Sequence, residues 1–143
     1  MKIWEMAAFS AFLNAREVAR RMVTRGRGTI LFTGATASLR GSANFAAFAG
    51  AKHALRALAQ SMARELGPKN IHVAHVAHVA HVAIDGSIDT EFIQTNFPER
   101  YALKDQEGIL NPDHIADSYW MLHTQPRDAW THELDLRPYM EKF

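Results

Sequence analysis

The sequence predicts an α/β fold in one domain, with three parallel strands and flanking helices. Three observations carry this expectation. A long amphipathic helix opens the chain, a short apolar, β-branched run follows it, and a second long helix separates that run from another β-rich one. A length of 143 residues, with 48% hydrophobic and 22% charged side chains, suits a globular unit with a core of its own.

Residues 3–23 repeat apolar side chains at spacings of three and four (Ile3, Met6, Phe9, Phe12, Leu13), which is one helical face. Gly26 and Gly28 stop this helix, and Arg20, Arg21 and Arg25 sit near its negative end. Residues 29–33 are short and β-branched, as in a strand buried on both faces, and Gly34 closes them. Small and polar residues over 35–44 predict a loop. Residues 45–66 predict a helix of about six turns, ended by Gly67 and Pro68. The chain is β-rich again from Ile71, so strand, helix and strand form a βαβ unit with a right-handed crossover. Residues 89–96 suggest a short helix that Pro98 prevents from continuing. Asn111, Pro112 and Asp113 read as an N-cap, a first-turn proline and an early acid, opening a helix to about residue 123. Residues 133–137 alternate polar and apolar, as a half-exposed edge strand does, and Pro138 ends them.

Sixteen basic against fifteen acidic residues, a net charge of +1 and no basic block offer nothing specific to nucleic acid or to an anionic membrane. The absence of cysteine excludes disulfides, thiolate nucleophiles and cysteine-ligated metals. The first residues lack a signal-peptide layout, and no apolar run nears the roughly 20 residues of a membrane span. A cytoplasmic protein is the expectation.

Residues 28–34, then Phe48-x-x-x-Lys52, residues 63–67, residues 71–73 and residues 85–90 together resemble the short-chain dehydrogenase/reductase family, in order and spacing. The resemblance implies a partial Rossmann (doubly wound) domain over residues 1–143, the C-terminal part only. About four strands of the family pattern are absent, and no G-x-G-x-x-G occurs. In the family a tyrosine acts as acid/base and a serine orients the substrate oxygen. A lysine one turn after the tyrosine lowers its pKa and holds the nicotinamide ribose, and an asparagine completes the set. By the same resemblance the lysine position is Lys52, while Phe48 replaces the tyrosine, Ala35 the serine and Ala7 the asparagine. Thr33, Thr36 and Ser38 lie near Ala35. Phenylalanine has no exchangeable proton, so weak or no turnover is expected. The segment with Gly86, Ile88 and Thr90 resembles the family's nicotinamide-contacting Pro-Gly-x-Ile-x-Thr, with Asp85 in place of proline. The implied cofactor is NAD or NADP. The implied partner is a second copy of the chain, in a dimer or tetramer joined through the helices at 3–23 and 45–66. A truncated sheet also leaves the strand at 29–33 with an unpaired edge.

Four His-Val-Ala triplets fill residues 72–83, where the family has a single strand. On a strand, period three throws successive histidines to opposite faces: His72 with His78, and His75 with His81. Members of each pair would stand about 20 Å apart, so no metal site is expected. A six-residue expansion explains the repeat, and its even length preserves the in/out alternation if the strand lengthens; otherwise the excess forms a loop. His53 points about 100° away from Lys52 and is a poor substitute base.

Overall fold

A computed structural model describes residues 2–78 and 87–140. The first helix, α1, runs as Lys2–Trp4, a π-helical stretch Glu5–Phe9, and Ser10–Arg25. Gly26 ends it in the left-handed conformation (φ 71°), where the absence of a Cβ removes the steric cost. Strand β1 (Gly28–Thr33) follows, then a 3₁₀ turn at Thr36–Ser38 inside the expected loop, then α2 (Ala46–Leu66) and β2 (Ile71–His78). Beyond residue 86 come α3 (Glu91–Asn96), α4 (Pro98–Tyr101), α5 (Pro112–Thr124) and β3 (Glu133–Leu136).

The described strands form one sheet in the order β1-β2-β3, parallel throughout, with Gly28 opposite Ile71 and His75 opposite Glu133. The partial Rossmann-like α/β architecture expected from the sequence is therefore observed. Strand β2 is central, and Ile71, Val73, Ala74 and Val76 are almost wholly buried because both its edges and both its faces are covered. The main core lies between β1, β2, α1 and α2, where Phe32, Ile71 and Val73 meet Leu55, Ala59, Ala15 and Ala19. Across the sheet, Leu122 of α5 is fully buried.

Local chemistry explains the boundaries. Asn111 caps α5 by accepting from Asp113 N–H at 2.9 Å, with Pro112 in the first turn, as the sequence indicated. The short helix near residue 90 ends at Asn96, where the sequence placed its end, and starts at Glu91 instead of residue 89. Phe97 leaves the helical region (φ −140°, ψ 59°), and Pro98 then opens α4 instead of only closing α3. The triplet repeat continues β2 as far as His78; the rest of it, with His81, lies outside the described residues. Among the described residues no helix is long and apolar enough to cross a membrane.

Candidate functional site

Strand β1 delivers its last residue, Thr33, to the rim of the sheet. Gly34 N–H donates to Val76 O at 2.6 Å, and in a parallel ladder this turns the N–H and C=O of Thr33 to the other, open edge. Lys52 reaches that edge from α2 and donates its ammonium to Thr33 O at 3.2 Å. Phe48 lies one helical turn earlier on the same face, and Lys52 Nζ stands 5.8 Å from its ring centroid. The ring packs on Ala35, Ala37 and Ala49 in a small apolar cluster of its own. Ala35 is buried and extended, and its N–H donates to the buried Ser38 Oγ at 3.1 Å. Ala7 sits in the π-helical stretch of α1 and shares with Lys52, Thr33 and Asn14 a groove of about 490 Å³ along the open edge of β1.

Lys52, Phe48, Ala35 and Ala7 thus surround the open rim of one strand. One turn before Lys52, Phe48 presents only a hydrocarbon ring and no acid/base group. His53 points elsewhere, its Nδ1 donating to Ala49 O at 2.9 Å.

The second segment is tied down separately. Ile88 forms an isolated parallel bridge with Leu110, made by Asp89 N–H to Leu110 O at 2.9 Å and Leu110 N–H to Ser87 O at 2.8 Å. That pattern leaves the N–H and C=O of Ile88 facing away from the bridge. Thr90 Oγ1 caps α3 by accepting from Ile93 N–H at 3.3 Å, so its hydroxyl is engaged in local structure. Gly86 lies outside the described residues.

Two features of the site have no periodic signature in the sequence. The hydroxyls of Thr33 and Tyr119, 86 positions apart, are hydrogen-bonded at 2.8 Å. Burial raises the Tyr119 pKa above its ordinary value, so this phenol keeps its proton and is no base. His75 forms the floor behind Gly34. A Cβ at Gly34 would overlap the imidazole, so only glycine fits there. The ring is almost fully buried, with Nε2 unpartnered among the described residues. Burial, opposed by Glu133 and reinforced by Arg56, Lys52 and His132, lowers its pKa to about 4.

His72 and His75 lie on opposite sides of β2, as a period of three on a strand requires. His72 stacks on Trp130 and donates Nε2 to Thr131 O at 2.7 Å. Among the described residues no three His, Asp or Glu side chains gather closely enough to hold a metal ion.

A family model described as short chain dehydrogenase matches residues 1–94. A short-chain dehydrogenase from Rhodopseudomonas palustris, of solved structure, is 48% identical with a TM-score of 0.72; the match covers 96% of this chain and 51% of that one. A 7 alpha-hydroxysteroid dehydrogenase, solved with NADH and 7-oxo glycochenodeoxycholic acid, is 26% identical with a TM-score of 0.76, covering 94% and 52%. The curated short chain aldehyde dehydrogenase 1 of Euphorbia lathyris is 33% identical over 72 residues, 50% of this chain and 25% of that protein. The chain therefore spans about half the length of these solved structures.

Proposed function

Because the chain belongs to the short-chain dehydrogenase family of oxidoreductases, we propose that it is a C-terminal portion of that fold which can meet the nicotinamide end of NAD or NADP but has little or no hydride-transfer activity of its own. The observation that carries this reading is Phe48. Its ring fills the position from which a proton would be given or taken, and the alanines around it offer no hydroxyl in exchange.

The residues present fit one end of a dinucleotide. The Ser87 hydroxyl is buried with no partner among the described residues, and the Ile88 N–H and C=O face away from their bridge, which are the donors and acceptors a carboxamide takes. Lys52 carries the cation for a ribose hydroxyl at the rim of β1. The other end has no such match, since the sequence contains no glycine-rich turn to cradle a pyrophosphate. A bound nicotinamide would supply or accept the hydride. The chain's own residues would orient the ring and ribose, with no group at position 48 to move the accompanying proton.

Titration of the chain with NADH and NADPH, followed by nicotinamide fluorescence, tests this. The expected outcome is no saturation below millimolar cofactor and no carbonyl reduction. The double variant Ala35→Ser/Phe48→Tyr is expected to stay equally silent, because the pyrophosphate anchor is still missing. Saturable micromolar binding with turnover by the unaltered chain would overturn the reading.

A second reading, a non-catalytic oligomer, is favoured by one observation. Met6, Phe9 and Phe12 are exposed along α1, a helix the family resemblance puts between subunits together with α2.

A further inference from the structure

Away from Lys52 and Thr33, at the other end of the sheet, the connections leading into β1, β2 and β3 meet. Asn70, itself left-handed (φ 65°), donates Nδ2 to Gly26 O at 2.7 Å and ties the first two connections together. His123 Nδ1 is bonded to Thr29 Oγ1 at 2.9 Å, and Gln125 holds Thr131 through both its amide atoms. The His72 ring lies on Trp130 at 4.9 Å between centroids with planes 4° apart. These contacts fix the walls of a cleft of about 490 Å³.

Arg25, Arg27 and Arg127 line that cleft, and among the described residues no carboxylate does. Among the described residues none of the three takes part in an ion pair. With sixteen basic and fifteen acidic residues in the chain, three arginines lining one cleft, with no acid among its described lining residues, is a local excess that composition does not explain. The carbonyl end of α1 accounts for Arg25, which closes that helix, but Arg27 and Arg127 belong to no helix. His72 is a second, independent sign. It donates Nε2 to Thr131 O, and its Nδ1 is buried without a partner among the described residues, in a residue that lines the cleft.

We propose that this cleft is a binding site for a small phosphate-bearing anion, a diphosphate or a phosphate monoester. Guanidinium forks match phosphate oxygens two at a time, and a ligand with two or more negative charges offsets the three arginines where a single carboxylate would not. The site stands apart from the nicotinamide reading, because it lies at the amino ends of the strands while dinucleotides sit outside their carboxyl ends.

The probe is inorganic pyrophosphate, titrated at constant ionic strength into the full chain labelled with ¹⁵N, with the Trp130 indole signal as reporter. Saturable binding is expected, weakened tenfold or more in Arg27→Gln/Arg127→Gln and unchanged in Arg64→Gln, an exposed arginine of α2. Circular dichroism checks that each variant folds. Non-saturating shifts, or equal weakening by Arg64→Gln, would mean that the arginines act only as diffuse counter-charge, and the proposal falls.

Discussion

The two sides of β1 are built alike in sequence and differently in space. On one side β1 meets β2, and α2 lies over both, so Ala51, Leu55 and Ala59 are buried. On the other side the edge of β1 has no neighbouring strand among the described residues, and α1 lies beside it with only Ala15 and Ala19 buried. Both helices carry long apolar stripes. Apolar pattern sets which face of a helix can be buried, but only a neighbouring element removes that face from water. The stripe on α1 is wider than the surface it covers, and Met6 and Phe9 stay in solvent.

The largest test of this contrast is paired truncation. Leu55→Ala, at a site 4% exposed in the main core, is expected to lower unfolding free energy by about 2–5 kcal/mol through lost burial and the cavity left behind. Phe9→Ala removes a larger side chain that is 57% exposed and is expected to cost less than about 0.5 kcal/mol in dilute solution. Urea unfolding measures both. Equal losses would mean that α1 is covered after all, and the contrast would fail.

His75 gives a second test on the paired side. Its pKa falls from 6.5 to about 4 because the folded chain buries the ring and favours the neutral form. Folding therefore gains stability that is complete above pH 6.5 and lost progressively as pH falls towards 4, in total about 3 kcal/mol. Glu133, held to about 2 by its paired hydrogen bonds with Arg56, loses its contribution only below the ordinary carboxylate value of 4.5. The window between pH 6.5 and 4.5 thus separates this imidazole from that carboxylate. Unfolding free energy measured across it should slope less steeply in His75→Gln than in the parent chain. An identical slope in the variant would assign the dependence to other groups.

The paired side was also the more legible in the sequence. The run ending at Gly34, the long face carrying Leu55 and the Asn111-Pro112 start each encode a local rule, and each element formed within a residue or two of its expected limits. The π-helical stretch at Glu5–Phe9 was not legible, since one shifted backbone hydrogen bond leaves the spacing of side chains almost unchanged. At the site, spacing within a family pattern singled out Phe48, Ala35, Ala7 and Lys52, and the structure brings Phe48 and Ala7 close to Lys52 near the end of β1. The Thr33–Tyr119 pair and the fit of His75 behind Gly34 could not, because each joins residues brought together only by the finished sheet.

The smallest effect on a single chain is expected to have the clearest effect on association. Phe9→Glu puts a charge on an exposed position of α1, so the folded monomer should lose less than about 0.5 kcal/mol. If copies of the chain meet through α1 and α2, the same carboxylate would be buried against an apolar partner without a counter-charge, at a cost of several kcal/mol per interface. Light scattering with size separation should then find dimers or tetramers for the parent and monomers for the variant, with unchanged far-ultraviolet circular dichroism. A parent that is monomeric at every concentration would end the oligomer reading. An unchanged oligomer in the variant would move the contact away from this face, leaving the open edge of β1 as the surface to probe next.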